Sequence, residues 1–210
     1  MGILSLFFPR KCPFCNTVIS GGETECEECR RELYAQPIRF IIPSGEVCLA
    51  PAVYEGKLRD AVLALKFRGR VENSRSLAKA ISELLISENE TAYDVVTCIP
   101  MTERAKAERE YNQSEEIARR VSEHLRLPFE DLMIKIRDNQ VQHKLSPRER
   151  AENVKGVYSV KSGGIEGKRI LLIDDICTTG NTLSEACRVL KNAGAVKILC
   201  SAAAIAVCAS

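Results

Sequence analysis

One run constrains this chain more than any other: Arg169-Ile170-Leu171-Leu172-Ile173-Asp174-Asp175-Ile176-Cys177-Thr178-Thr179-Gly180-Asn181-Thr182. The apolar residues Ile170 to Ile173 are too few for a buried helix and suit a central strand covered on both faces. Two carboxylates stand at its C-terminal end, and hydroxyls follow around a glycine. Leu183, Ala186, Cys187 and Leu190 then recur at helical spacing, with Gly194 as a C-cap. Strand, loop and helix in this order predict an open α/β sheet, whose ligands bind beyond the carboxyl ends of the strands. Thr178, Thr179 and Thr182 offer hydroxyl donors, and Gly180 lets backbone come close to a ligand. The helix start adds free N–H groups and a positive dipole end, which suits a phosphate. Asp174 and Asp175 suit sugar hydroxyls or the waters on Mg2+. The whole run reads as a phosphorylated-sugar site. An ordinary buried strand with Asp near an N-cap is the better reading of an Asp pair alone and the weaker one here.

This run resembles the phosphoribosyl-pyrophosphate (PRPP) motif of type I phosphoribosyltransferases. The resemblance implies that Asp174 and Asp175 face the ribose. It makes Cys177, Thr178, Thr179, Gly180, Asn181 and Thr182 the loop that holds the 5′-phosphate.

The 210 residues allow one α/β domain and a small appendage. The formal charge of +2 argues neither for nor against nucleic acid. No apolar run approaches the ~20 residues of a membrane span. Met1 to Phe8 is apolar, but Pro9, Arg10 and Lys11 follow at once, which makes a poor signal peptide.

Four of the ten cysteines form a pattern: Cys12-Pro13-Phe14-Cys15, then Cys26-Glu27-Glu28-Cys29. Two such turns can close a tetrahedral Zn2+ site, and metal would supply most of the folding free energy of so short a segment. Two disulfides or a rubredoxin-like iron site are the alternatives. Nothing else suggests secretion, so a cytoplasmic location with reduced thiols is expected. Cys48, Cys98, Cys177, Cys187, Cys200 and Cys208 read as small buried residues.

Pro37, Pro43, Ser44-Gly45 and Pro51 place a linker near residues 36–46, dividing a zinc ribbon (1–36) from the larger domain (46–210). A strand is expected over Val47 to Tyr54. A helix follows with Leu58, Val62 and Leu65 on one face, and then Lys66-Phe67-Arg68-Gly69-Arg70, either a solvated helix end or a phosphate contact. Leu77, Ile81, Leu84 and Leu85 line another helix. Tyr93 to Pro100 is a second buried strand. The loop after it carries Thr102, Arg104, Lys106 and Arg109, which could neutralise a pyrophosphate leaving group. Glu103, Glu108 and Glu110 alternate with them, so a solvated helix start is an equal alternative. Ile117, Val121 and Leu125 mark the next helix, with His124 beside its apolar face.

Residues 135–169 hold nine Lys/Arg against four Asp/Glu. Within them, Asp138 to Val154 reads as a long loop carrying Gln142, His143, Arg148, Arg150 and Asn153, of a length that is uncommon unless functional. A mobile cationic flap over the site is the expectation, with Arg150 acting on the leaving group; a scaffold or subunit contact is the alternative. Val157 to Val160 resumes as a strand, and Val196 to Val207 is the last.

Together these landmarks resemble the ComF family of competence-associated proteins over nearly the whole chain. The matching pieces are the four cysteines, Tyr54-Glu55-Gly56 with Leu65-Lys66-Phe67-Arg68-Gly69, and Pro100 through Tyr111-Asn112-Gln113. Gln142, Leu145, Arg150, Asn153-Val154 and Gly156 follow, and then the 170–182 motif. Glu110 stands where the family usually has Gly, and Asn139 where Thr is common. The resemblance implies a zinc ribbon joined to a phosphoribosyltransferase-like parallel sheet with helices on both faces, and a role linked to DNA uptake.

Two functions compete. The first is an enzyme that displaces pyrophosphate from Mg2+·PRPP with a nitrogen nucleophile, using Asp174, Asp175 and Arg150, with Lys66, Arg104 and Arg109 on the phosphates. The second is a module that senses PRPP or a nucleotide and docks a protein or single-stranded DNA through the ribbon. The ribbon bears Arg10, Lys11, Arg30 and Arg31 but also Glu23, Glu25, Glu27 and Glu28, a mixture that suits protein better than a phosphate backbone.

Overall fold

The computed structural model describes residues 10–34, 36–137, 154–161 and 163–206. In chain order the elements are α1 (Glu27–Leu33), β1 (Ile38–Ile41), β2 (Val47–Ala50), α2 (Gly56–Phe67), α3 (Asn73–Ser87), β3 (Val95–Cys98), α4 (Glu103–Arg109) and α5 (Gln113–Leu125). β4 (Met133–Lys135), β5 (Tyr158–Val160), β6 (Arg169–Cys177), α6 (Asn181–Asn192) and β7 (Lys197–Ile205) complete them. The motif run is the centre of the sheet, whose order is β1-β2-β7-β6-β3. β3, β6, β7 and β2 run parallel, and β1 lies antiparallel to β2 at the edge. A central parallel strand is covered on both faces, which is why β6 is buried from Ile170 through Asp175 with no polar alternation.

The pleat sends alternate residues of β6 to opposite sides. Leu171 and Ile173 pack with Leu65, Leu77, Ile81, Ile117 and Val121 of α2, α3 and α5. Ile170 and Leu172 pack with Leu183, Ala186 and Leu190 of α6 and with Met133 and Tyr158 of the β4–β5 pair. The expected α/β sheet flanked by helices is therefore present. Among the described residues no helix is long and apolar enough to cross a membrane.

Several local expectations change. The proposed linker is ordered structure: β1 occupies Ile38–Ile41 and pairs with β2. β2 stops at Ala50, and the chain returns to the sheet only through a bridge from Val53 to Ile205. β6 runs nine residues, beyond both carboxylates, because its pairing with β7 continues through Cys177 and Ile205. Cys177 thus ends the strand rather than opening the loop, with its side chain in the apolar core. Cys48, Cys98, Cys187 and Cys200 are buried as expected, whereas Cys208 lies outside the described residues.

The segment after β3 becomes α4, capped by the Thr102 hydroxyl and ended by Glu110 at φ 67°. That backbone region disfavours any residue with a Cβ, by ~1–2 kcal/mol, and a glycine escapes the cost. Glu110→Gly is therefore expected to stabilise the protein by about 1 kcal/mol in urea unfolding, somewhat offset by the looser unfolded chain. A destabilised variant would show that the Glu110 side chain holds the turn.

Candidate functional site

β3 ends at Cys98, paired with Ile173, so β6 extends past its neighbour. The last backbone link on that side is Ile99 N–H to Ile173 O, 3.0 Å. The next residue, Asp174, therefore has no strand beside it there, and the first turn of α5 fills the gap. Ser114 Oγ donates to Asp174 Oδ1 at 2.9 Å, and Asp175 N–H donates to the same oxygen at 2.8 Å. Asp175 faces α2, where Lys66 Nζ lies 2.7 Å from its Oδ2.

Both carboxyls are buried, each 7% exposed. Burial and the neighbouring Asp175 charge push Asp174 up to about 7, against the opposing pull of Lys66 and its two hydrogen-bond donors. Burial alone would lower Lys66; the Asp175 carboxylate outweighs it, and the ammonium is held above its usual range. The site thus sets the raised Asp174 carboxyl beside the Lys66–Asp175 ion pair.

The loop after β6 turns through Gly180 at φ 74°, the N-cap of α6, and no side chain caps that helix. A Cβ on Gly180 would meet Ile42 Cγ2 at 2.8 Å and Pro43 Cδ at 3.0 Å. The β1–β2 turn is therefore a wall of the loop, and Ser44 N–H donates across it to Ser184 Oγ of α6 at 3.2 Å. Thr178 is exposed, while Thr179, Asn181 and Thr182 are half-buried around a helix start whose N–H groups no side chain takes.

The remaining candidates fall in three places. Arg109 lies over the Phe67 ring at 5.3 Å, next to the chain segment that carries Lys66. Arg104 is on the exposed side of α4, 3.9 Å from Glu108, and Lys106 pairs with Glu115 at 3.1 Å. Arg150 and the 138–153 stretch, with Gln142, His143, Leu145, Arg148 and Asn153, lie outside the described residues. His124 sits 3.3 Å from Ser82 Oγ, between α5 and α3. Ser114 had no signal of its own in the sequence, being one serine in a helix start. Asn112, quoted above only as part of the family resemblance, bonds Ile99 O at 3.0 Å while capping α5 through Ser114 N–H.

A second centre lies at the N-terminal end. The Sγ atoms of Cys12, Cys15, Cys26 and Cys29 all fall within 4.8 Å of one another, and Cys15 and Cys26 are 3.6 Å apart. Tetrahedral zinc with bonds of ~2.3 Å separates its sulfurs by about 3.8 Å, so the set fits. Hydrogen bonds with Thr17 lower the Cys15 thiol to about 6, whereas burial and the neighbouring cysteines raise Cys29, and Cys26 is also raised. It is therefore a bound cation that would hold all four as thiolates. Cys12, Phe14 and Cys29 share one apolar cluster with Leu77, Ile81 and Leu84 of α3. Buried Glu25 meets Ser76 and lies 3.7 Å from Lys79, and Arg30 pairs with Glu83 at 2.6 Å.

Two expectations follow from this geometry. Because the ribbon shares its core with α3, removing zinc with a chelator lowers the single melting transition of the whole chain. Two separate transitions would mean an independent ribbon. For Asp174, the folded value of about 7 exceeds the unfolded ~4, so the folded state holds the extra proton between them. Stability then falls as pH rises through that window. Asp174→Asn should melt at least about 2–4 °C above the wild type at pH 8, a gain of at least ~1 kcal/mol and at most the ~4 kcal/mol of the full shift, which shrinks towards pH 4. Equal melting points at pH 8 would contradict the strained carboxyl.

Comparison with known proteins places the two centres in families. Residues 68–207 match the family model of the phosphoribosyl transferase domain, and residues 3–49 match that of the double zinc ribbon. The chain is similar to DNA utilization protein YhgH of Escherichia coli (strain K12), 25% identical over 196 residues, which covers 90% of this chain and 82% of the relative. It is similar to Competence protein F of Haemophilus influenzae, 24% identical over 218 residues, covering 91% and 95%. Competence protein ComFC of Bacillus subtilis is 28% identical over 185 residues, covering 87% and 72%. The transferase match spans two thirds of the sequence and the relatives uphold the ComF resemblance, so the chain belongs to the phosphoribosyl transferase domain family, with that domain carried behind a zinc ribbon.

Proposed function

We propose that the protein binds Mg2+·PRPP, or a related phosphoribosyl compound, beyond the ends of β3 and β6 and transfers its phosphoribosyl group to a nitrogen nucleophile. One observation carries this reading: the buried Asp174–Asp175 pair stands beside an uncapped helix start at Gly180, with Lys66 on its other side. The carboxylates accept hydrogen bonds from the ribose hydroxyls. Thr178 to Thr182 and the first N–H groups of α6 hold the 5′-phosphate. Lys66 exchanges Asp175 for the diphosphate, while Arg109 beside Phe67 and Arg150 add positive charge. The acceptor nitrogen forms its bond to the anomeric carbon as the carbon–oxygen bond breaks, and that electron pair leaves with pyrophosphate. Positioning and charge stabilisation do the catalysis, and no covalent enzyme intermediate is needed. The names of the relatives, competence and DNA utilization, support a role for this chemistry in DNA uptake. A cytoplasmic setting, where thiols stay reduced, suits the four-cysteine zinc set.

One observation favours a second reading, a ligand sensor that docks single-stranded DNA or a protein through its ribbon. Arg10, Lys11, Arg70 and Arg75 line a cleft of about 460 Å3 between ribbon and transferase domain, and none forms an ion pair among the described residues. Glu23 and Glu72 share that cleft, so its charge is mixed.

Calorimetry with Mg2+·PRPP, beside pyrophosphate release across nucleobases, amines and ammonia, separates the readings. Turnover with any acceptor supports the enzyme, and tight binding without turnover supports the sensor. Replacing both Asp174 and Asp175 by Asn should weaken PRPP at least tenfold, about 1.4 kcal/mol, with the fold retained. Unchanged affinity would remove the carboxylates from the site.

A further inference from the structure

The segment Tyr111-Asn112-Gln113-Ser114 matters to the site in a way that neither the motif nor the family match assigns. Its side chains close a circuit of hydrogen bonds. Ile99 N–H donates to Ile173 O, Asn112 Nδ2 donates to Ile99 O, Ser114 N–H donates to Asn112 Oδ1, and Ser114 Oγ donates to Asp174. The circuit starts and ends on adjacent residues of β6. From the same turn, the Tyr111 hydroxyl donates to the carbonyl of Leu65, the residue before Lys66.

We propose that this turn is the positioning bracket of the phosphoribosyl site, with Ser114 orienting the Asp174 carboxylate and Tyr111 holding the backbone that presents Lys66. The proposal rests on the phosphoribosyl reading above. Two donors, Ser114 Oγ and Asp175 N–H, converge on Oδ1 of Asp174. They fix the rotation of the carboxylate and leave Oδ2 outside that pair of bonds. A backbone donor alone would fix the distance and leave the plane of the group free. Ser114 is itself 5% exposed and belongs to a helix capped by Asn112, so its hydroxyl does not wander. Tyr111 works on the opposite wall. α2 ends at Phe67, and Lys66 is in its last turn, where a helix frays unless its carbonyls are held. One four-residue turn therefore sets both the ribose side and the diphosphate side.

The two arms make separable predictions, read by calorimetry on the full zinc-loaded chain. Ser114→Ala weakens ribose 5-phosphate about tenfold and leaves Mg2+·pyrophosphate within about twofold, and Ser114→Thr, which keeps the hydroxyl, restores ribose 5-phosphate. Tyr111→Phe shows the reverse pattern. On an Asp174→Asn background, Ser114→Ala costs less than about twofold, because its effect passes through Asp174. Equal losses for both ligands, or a full loss on the Asn background, would reduce the turn to a merely structural element and overturn the bracket. A further readout needs no ligand: the carboxyl carbon resonance of Asp174 in the free protein. Ser114→Ala raises its titration midpoint by at least about half a pH unit, while Ser114→Thr and Tyr111→Phe leave it in place. An unmoved midpoint in Ser114→Ala contradicts the bracket even if the wild type binds no phosphoribosyl compound, a result that would by itself refute only the reading of the site.

Discussion

Two adjacent carboxyls at the end of a buried strand are costly, and much of this structure meets that cost. Each loses hydration, and each repels the other when ionised. The fold supplies a lysine to one and two donors to the other. Those supports come from three directions: the last turn of α2, the first turn of α5 and the backbone of β6 itself. Their arrival depends on β3 stopping one residue short of Asp174, which opens room for a helix start where a strand would otherwise pair. A core built for stability alone would place apolar residues there. Strained titratable groups concentrate where ligands are handled, and this pair lies where open α/β sheets bind theirs.

The ribbon and the transferase domain are joined through more than the chain. Phe14, Cys12 and Cys29 complete the apolar face of α3, which in turn packs on α5. The path out of the ribbon becomes β1, and the turn after β1 presses Ile42 and Pro43 against Gly180. Glu46 in the same hairpin pairs with Lys191 near the far end of α6. The loop after β6 is thus held from behind by residues that follow the four-cysteine set. This gives a physical reason for a glycine at 180 beyond any ligand, since a side chain there would collide with the hairpin.

The motif strand, the loop, the cysteine set and the faces of α3 and α5 were legible because each has a local pattern. Periodicity reports one element at a time, so it finds Leu77 and Ile81 without knowing what they cover. β1 was hidden because Ile38-Arg39-Phe40-Ile41 lies between prolines and looks like connecting chain until β2 pairs with it. β4 is three residues long, too short to show alternation. The extent of β6 past its apolar run was set by pairing with β7, a long-range contact that two aspartates disguise. Ser114 was illegible in principle: its partner is 60 residues away, and a serine near a helix start ordinarily reads as a cap. Glu110 was the opposite case. A departure noticed in the sequence proved to sit at a left-handed turn, where a glycine costs least.

The central claim is that the 174–182 stretch cradles a phosphoribosyl group. A crystal structure of the zinc-loaded protein with Mg2+·PRPP tests it most directly. The account predicts the 5′-phosphate against the N–H groups after Gly180, the ribose hydroxyls on Asp174 and Asp175, and Lys66 turned from Asp175 to the diphosphate. Ligand density confined to the cleft between Arg10, Lys11, Arg70 and Arg75, with the Lys66–Asp175 pair undisturbed, would contradict it.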